Sequence, residues 1–476
     1  MKPYYLMVAF WGERYREAFY SLCLSSLLSP NNIPSLAARR RSKFVLCTTV
    51  EDWSALQARP LFEKLREYME PAFIDIGYPA ENVHPHIHMS KGHRLAAQKA
   101  IEERARAGFV APDMLVSDGM VRFVLEKAEQ GKCAVLTPAL RYGLEPVVEA
   151  LQRDGRLVRD RALTLQPRYL AGIGQRALHS EILRYEFEAP CFGENPIWSW
   201  WRLPQDEGLV IHTVSWALLL GDFGNLPQHR DRRLYDSTID GFYVYENFFR
   251  QYPSDDLYLS TDSDEVVFMG LTPESELTFR LEERPINRSR WGFHNRLCEM
   301  HRFLHGGQID DFRRLAYRKP FRLHGRPLSP EGERVAKRSS EIVTQAFSLP
   351  LHERLTQVVF WWLVRNPVTG KGNEALLAVP PTTLGIARYL ACSGMAIVSY
   401  RWRNFERRVL RWSFGWLVRP LFSRCSREML VGTVGLLPWR YRRAVMRRLK
   451  SRDKPPAATG ATGAAAGRQR AQGPVQ

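Results

Sequence analysis

VAPDMLVSDGMVRFVLEKAEQGKCAVLTPALR, residues 110–141, is the stretch that decides the fold. A short apolar run stops at Asp118-Gly119, a pattern with helical spacing follows, and a second apolar run begins at Cys133. Strand, turn, helix and strand in this order are typical of a βαβ unit. Such a unit places its turn at the carboxyl ends of parallel strands, where α/β proteins bind ligands. We therefore expect Asp118 and Arg141 on one rim of a sheet.

The same alternation fills residues 1–150, which we expect to form a Rossmann-like half of an α/β domain. Three earlier apolar runs indicate strands, at 4–10, 43–49 and 73–76. Alternating strands and helices predict an α/β fold with a mainly parallel sheet flanked by helices. Residues 151–290 form the second half of the same domain, with strand-like runs at 208–220, 238–249 and 255–271.

Beyond residue 290 the pattern is helical, and it then becomes basic. We expect a helical extension over 291–375, basic amphipathic helices over 376–452 and a disordered low-complexity tail over 453–476. Between residues 401 and 450 there are 14 Lys or Arg against two Glu, a net of +12 out of +18 for the whole chain. The positive charge is therefore concentrated in one segment.

The basic segment interleaves Trp with Arg, which suits a helix lying in an anionic membrane interface. Two alternatives remain. These helices can pack on the α/β domain, or they can bind nucleic acid, and the second alternative is motivated only by their charge. The seven cysteines form no Cys-x-x-Cys pair, and no signal peptide or long uncharged apolar run is evident. We expect a cytoplasmic protein, peripheral on the inner face of the membrane.

Carboxylates mark the candidate chemistry. Asp118 follows a predicted strand, Asp240 precedes another, and Asp262, Asp264 and Glu265 form a dense cluster. Carboxylates on a sheet rim can hold Mg²⁺ or Mn²⁺ that bridges phosphate oxygens, and one of them can act as a general base. Alternatively, Asp-Gly is a common turn and Asp-Ser-Asp-Glu a common solvated loop.

Other polar residues lie near predicted strand ends and helix starts. Thr49 ends the second strand, and Asp52 is expected to cap the helix that follows. Ser90 is expected to cap a helix that runs to about residue 107, and Lys91 would then lie at a helix N-terminus suited to phosphate. Five histidines are candidate ligands or bases, with exposed-loop or core roles as the alternatives: His84, His86, His88, His212 and His229.

The N-terminal region resembles bacterial glycosyltransferase-like proteins of the GT-A kind. The resemblance is carried by WGERY after the opening strand, SLLSPNNIP, LCTTVED and LVSDG, and the later TIDGFY and STDSDE resemble the acceptor half of such proteins. It implies a GT-A-like fold in which residues 1–150 bind a nucleotide sugar and residues 151–290 form the acceptor half. It also implies transfer of a sugar to a glycan or lipid-linked acceptor in the cell envelope. Membrane-associated basic helices are frequent in such enzymes.

The resemblance also implies roles for individual residues. Asp118 would bind the metal, Mn²⁺ or Mg²⁺, and the donor diphosphate, and Arg141 would neutralise the leaving diphosphate. The remaining candidates are Thr49, Asp52 and Lys91 for donor binding and Asp240, Asp264 or Glu265 as base. Val116 stands where the usual Asp-x-Asp motif has its other Asp. A non-catalytic membrane-peripheral scaffold is therefore the second hypothesis.

Overall fold

In a computed structural model of the protein, the residues described are 2–38, 41–189, 192–193, 195–230, 242–276, 292–306 and 309–349. The strands are β1 Tyr4–Ala9, β2 Lys43–Thr48, β3 Glu70–Asp75, β4 Arg106–Phe109, β5 Met114–Val116, β6 Ala134–Pro138, β7 Leu140–Gly143, β8 Trp198–Arg202, β9 Gly208–Thr213, β10 Trp216–Asp222, β11 Leu257–Leu259, β12 Phe268–Thr272 and β13 Phe321–His324.

The α-helices are α1 Glu13–Ala18, α2 Ser25–Leu27, α3 Val50–Gln57, α4 Pro60–Arg66, α5 Pro85–Glu102, α6 Met120–Glu129, α7 Leu144–Arg153, α8 Pro167–Gly174, α9 Ser180–Leu183, α10 Phe242–Val244, α11 Gly292–Leu304, α12 Asp311–Tyr317 and α13 Pro330–Phe347. A π-helical turn, Phe19–Leu24, joins α1 to α2, and a second one, Tyr245–Phe249, continues α10.

The central sheet has seven strands in the order β11-β6-β10-β4-β1-β2-β3. Only β10 runs antiparallel to its neighbours, and every residue of β1 is buried. A strand buried on both faces is why the sequence reads as a continuous apolar run there. The expected α/β class, with a largely parallel sheet and flanking helices, is confirmed for the described residues.

The strand order reverses between β1 and β4. The chain moves outward from β1 through β2 to β3 and then returns to place β4 on the other side of β1. In open α/β sheets a ligand crevice forms at such a switch point, outside the carboxyl ends of the strands. The segments that follow β1 and β4 therefore border the crevice.

Gly108 allows the antiparallel strand β10 to lie against β4. A Cβ atom at this position would lie 1.9 Å from the carbonyl oxygen of Leu219, which also accepts a hydrogen bond from the Tyr4 hydroxyl at 2.6 Å. The strand β4 itself was missed from the sequence, because α5 was expected to continue to residue 107 but ends at Glu102.

Two smaller sheets have the orders β5-β12-β7 and β13-β9-β8. The predicted order of strand, helix and strand over β5, α6 and β6 is confirmed, but the two strands do not belong to one sheet. The positions on both sides of β6 are taken by β10 and β11, and β5 pairs with β12 instead. The predicted βαβ unit was therefore wrong.

Two other predicted strands differ from the structure. The run 208–220 is extended as predicted but forms two strands, β9 and β10, in different sheets, with a turn between them in which the Ser215 amide donates to the Thr213 hydroxyl at 2.9 Å. The described part of 238–249 is helical from residue 242 onward. The predicted basic helices of 376–452 and the tail 453–476 lie outside the described residues. Among the described helices, none combines the length and the apolar character required to span a bilayer.

Candidate functional site

Asp52 ties the segment after β1 to the segment after β2. Its carboxylate accepts hydrogen bonds from the Gly12 amide at 2.7 Å, the Arg16 guanidinium at 3.0 Å and the Thr49 hydroxyl at 2.9 Å. The side chain is fully buried. The N-cap of α3 is Thr49, not Asp52 as expected, since the Thr49 hydroxyl accepts from the Asp52 amide at 3.1 Å. Both residues thus shape the sheet edge.

Asp113 follows β4 and lies at the switch point. Burial raises the pKa of its carboxyl to about 6, while the nearby guanidiniums of Arg14 and Arg141 act in the opposite direction. A buried carboxyl group with a raised pKa and charged neighbours is a candidate for a functional site. Neither Asp113 nor Arg14 was predicted from the sequence. The pattern that could have indicated Asp113 is the apolar run AGFVA, residues 107–111, followed by Pro112 and Asp113.

Arg14 and Arg141 both reach solvent. The Arg14 side chain is 56% exposed and pairs with Glu276, and that of Arg141 is 40% exposed and pairs with Glu181 at 2.8 Å. Exposed ion pairs such as Arg14–Glu276 contribute little to stability, about 0–1 kcal/mol, so an anionic ligand can replace Glu276 without a large cost. Glu181 is buried, with 4% of its side chain exposed, so Arg141 would keep this partner and meet an anion with its remaining N–H groups.

Asp118 and Arg141 do not share a rim, contrary to expectation. Arg141 in β7 and Met114 at the start of β5 both lie opposite Gly270 of β12, so Arg141 is level with the Asp113 end of β5. Asp118 follows the other end of that strand. Five residues of extended chain separate the two aspartates, roughly 15 Å.

The surroundings of Asp118 indicate a structural role. One carboxylate oxygen accepts from the Asn31 amide at 2.9 Å and the other from the Asn31 side chain at 2.7 Å. Between β1 and Asn31 the chain forms a helical segment, residues 13–27, that is about 20 Å long. Asn31 and the Asp118 carboxylate bound to it therefore lie away from the switch point.

A cavity of about 510 Å³ opens beside Asp118 and brings together three of the predicted site residues, Asp118, Asp264 and Glu265. The other residues that line it are Asn31, Gly119, Arg122, Phe123, Glu126, Gln166, Pro167 and Arg168. The hydrogen bond from Arg168 lowers the pKa of the Asp264 carboxyl. Glu265 accepts a hydrogen bond from the Tyr258 hydroxyl.

Among the described residues, one group of side chains has the composition and spacing of a metal site. It consists of Asp262, Asp264 and His324, whose ligand atoms all lie within 4.8 Å of one another. Asp118, where the metal was expected, does not belong to this group. The two aspartates lie on the loop between β11 and β12, and His324 ends β13.

Lys91 is exposed and lies within α5, which begins six residues earlier at Pro85, so it is not at a helix N-terminus as expected. Proline is favoured at a first helical position, which explains the earlier start. Asp240 lies outside the described residues.

The histidines do not converge on one site. His84 and His86 are exposed and stack on each other with ring centroids 4.9 Å apart, whereas His88 is buried against Gly77 and Trp11. His212 is a core residue that contacts the Tyr317 carbonyl and the Ser339 hydroxyl, and burial lowers its pKa to about 4.

No protein-family model and no curated protein matches the chain. Among solved structures, S. aureus TarS is similar at 12% identity and a TM-score of 0.20, over 29% of this chain and 22% of TarS. Apo mouse xyloside xylosyltransferase 1 is similar at 13% identity and a TM-score of 0.21, over 33% and 60% of the two chains. S. aureus TarS 1-349 in complex with UDP is similar at 9% identity and a TM-score of 0.20, over 37% of this chain and 56% of that chain.

The chain spans about a fifth of TarS and less than two thirds of the other two. Similarity at this level does not assign an activity.

Proposed function

We propose that this protein is a GT-A-like glycosyltransferase whose nucleotide-sugar donor binds at the switch point between β1 and β4. The observation that carries the proposal is the location of Asp113 on the segment that follows β4, where the charges of Arg14 and Arg141 both act on its carboxyl group. The resemblance of the N-terminal motifs to glycosyltransferases supports the same choice of substrate class.

Arg14 and Arg141 suit the diphosphate of the donor. A guanidinium donates two parallel hydrogen bonds to phosphate oxygens and remains charged at any physiological pH. When the bond between the sugar and the diphosphate breaks, negative charge develops on the leaving oxygen. Fixed cations beside that oxygen stabilise the transition state more than the ground state.

Asp113 suits the role of general base in this reaction. Its pKa of about 6 leaves it ionised at neutral pH and still basic enough to accept a proton. The acceptor hydroxyl oxygen attacks the anomeric carbon of the sugar, the bond to the diphosphate breaks, and the hydroxyl proton passes to Asp113. Thr49 and Asp52 hold the segment after β1, which borders the crevice, against the segment after β2.

The chemistry at this edge does not route through a divalent cation. One carboxyl group under the influence of two guanidiniums suits anions better than it suits a metal. Asp118 does not belong to the group of described side chains whose spacing suits a metal. Mn²⁺ or Mg²⁺ as a donor-site cofactor is therefore not part of the proposal.

The acceptor, in this proposal, is a glycan or a lipid-linked glycan that reaches the site at the membrane. The basic stretch of residues 401–450 is the element we expect to contact anionic lipid. Asp264, Glu265 and Asp240 were the expected bases, and Asp264 and Glu265 line the cavity at the other end of β5. We assign the base role to Asp113 instead, because it lies beside the two arginines.

A thermal-shift panel of UDP-, GDP-, CMP- and dTDP-linked sugars tests the proposal. A ligand at 100 times its dissociation constant adds about 2.7 kcal/mol of stability, a readily visible shift. We expect one nucleotide sugar to stabilise the protein and to be slowly hydrolysed. Stabilisation without any turnover, even with lipid-linked acceptors, would favour the non-catalytic scaffold, and no stabilisation by any donor would refute the proposal.

A further inference from the structure

We infer that Asp262, Asp264 and His324 form a binding site for a divalent transition-metal cation, separate from the proposed donor site. The inference does not depend on the proposed function. It rests on the way the backbone assembles these three side chains, on the hydrogen-bond partners of the imidazole, and on the exposure of Asp264.

The backbone holds the loop of Asp262 and Asp264 against β13. The Ser263 amide donates to the Arg322 carbonyl at 2.9 Å, and the Arg322 amide donates to the Thr261 carbonyl at 2.9 Å. The His324 amide donates to the Ser263 hydroxyl at 3.0 Å. These contacts involve none of the three ligand side chains. The proximity of two carboxylates and an imidazole is therefore imposed by the fold, which makes it available to a cation.

A turn within the loop directs the carboxylates to one side. The Asp264 amide donates to Asp262 Oδ1 at 2.8 Å, which is the hydrogen bond of an Asx turn. His324 approaches the same oxygen, with Nε2 2.9 Å from Asp262 Oδ1. All three possible ligand atoms consequently face one small volume.

The imidazole of His324 has acceptors at both of its nitrogens. Nδ1 lies 2.7 Å from the carbonyl oxygen of Arg326, which can only accept, so Nδ1 carries a proton. Nε2 lies 2.9 Å from Asp262 Oδ1, so the ring nitrogen that faces the two aspartates is the one available to bind a cation. A backbone carbonyl on the far nitrogen is also the usual way in which proteins orient a histidine that binds metal.

The site is accessible because its third member is at the surface. His324 is buried, whereas the Asp264 side chain is 41% exposed and also lines the large cavity. Its partner, Arg168, is 49% exposed and bonds it at 2.9 and 2.8 Å. The pair is bidentate, so an entering cation has to compete with two hydrogen bonds for Asp264, but both side chains are exposed and free to move apart.

The ligand set indicates the kind of cation. Two carboxylates and one imidazole suit Mn²⁺ or Zn²⁺, whereas Mg²⁺ and Ca²⁺ prefer oxygen ligands alone. Three protein ligands leave coordination positions for water or for a group that enters the cavity. A cation bound here would thus border the cavity at Asp118 and lie on the opposite side from Arg14.

Metal titration of the chelator-treated full-length chain tests the inference. MnCl₂, ZnCl₂ and MgCl₂ are titrated separately, with the free Mn²⁺ signal in electron paramagnetic resonance and calorimetry as readouts. We expect one saturable site for Mn²⁺ or Zn²⁺ per chain and weaker binding of Mg²⁺. Asp264→Asn and His324→Gln should each weaken binding at least about tenfold.

Glu126→Gln is the matched control, because Glu126 is an exposed carboxylate that lines the same cavity outside the group of three. It should bind metal as the wild type does. Asp264→Asn tests the site even if His324→Gln fails to fold, since Asp264 is exposed. Absence of saturable binding to the wild type, or equal binding by wild type and Asp264→Asn, would overturn the inference.

Discussion

The two ends of β5 carry similar residues in different states. Beyond its carboxyl end, Asp118 accepts two hydrogen bonds from Asn31, and a cavity opens beside it. Asp113 lies just before its amino end. Burial raises the pKa of this carboxyl to about 6, although the guanidiniums of Arg14 and Arg141 act to lower it. Both are aspartates that follow a strand. A carboxylate satisfied by neighbouring donors holds the fold together, whereas one that burial leaves short of solvation is ready to exchange protons.

The sheet explains why the two ends differ. Asp113 follows a strand of the central parallel sheet, at the switch point, and Asp118 follows a strand of a smaller sheet. Only the first position is one where open α/β sheets bind ligands. A motif with an aspartate after a strand therefore has to be assigned to a sheet before it is assigned a function.

The largest expected effect concerns Asp52, which supports the switch-point end. Asp52→Ala should lower the free energy of unfolding by about 3–5 kcal/mol, because it leaves the Arg16 charge without its buried partner. Urea unfolding monitored by circular dichroism measures the change. Glu51→Ala, at an exposed neighbour in the same helical turn, should change stability by less than about 0.5 kcal/mol. Equal effects would show that Asp52 does not tie the two loops together.

Asp113 should make stability depend on pH. Its pKa is raised in the folded state, so the folded protein binds this proton more tightly than the unfolded chain does. The associated stability is fully present below about pH 4 and is lost as pH rises through 6, by up to about 3 kcal/mol. Relative to Asp113→Asn, the wild type should therefore become less stable between pH 4 and 7. Parallel stability curves for the two proteins would contradict the raised pKa.

Asp118 should matter for stability and not for the donor. Asp118→Ala removes both acceptors of Asn31 and should cost about 1–3 kcal/mol, measured by urea unfolding. Nucleotide-sugar affinity should stay unchanged. Glu126→Ala, at an exposed residue that lines the same cavity, is the control and should be nearly neutral. A large loss of donor affinity in Asp118→Ala alone would move the donor site to the cavity.

The sequence predicted the strand and helix content of the first half well where apolar runs were long. Strands β1 and β2 lie where the apolar runs placed them, and β3 begins three residues before its predicted start. In the second half, α11 and α13 lie within the region beyond residue 290 that was predicted to be helical. The strand β4 was not predicted because it is only four residues long and contains Gly108, which allows β10 to pack closely against it. Pairing could not be read either, since β5 and β6 have the same apolar pattern in different sheets.

The candidate site was predicted in part. Asp264, Glu265 and Asp118 were named from the sequence, and the structure brings them to one cavity. Arg141 was also named, but its neighbours Asp113 and Arg14 were not, because their proximity depends on the strand order. The contribution of His324 was invisible, since it lies 60 residues from Asp264 and adjoins it only through pairing of the loop with β13.

The most direct test of the donor site is calorimetric binding of UDP and GDP to the wild type, Arg14→Ala and Arg122→Ala. The two arginines are similarly exposed, at 56% and 61%, but Arg14 lies at the switch point and Arg122 lines the cavity. Loss of one guanidinium–phosphate contact should weaken binding about tenfold, or roughly 1.4 kcal/mol. We expect that loss in Arg14→Ala and none in Arg122→Ala. The reverse pattern would contradict the assignment of the donor site.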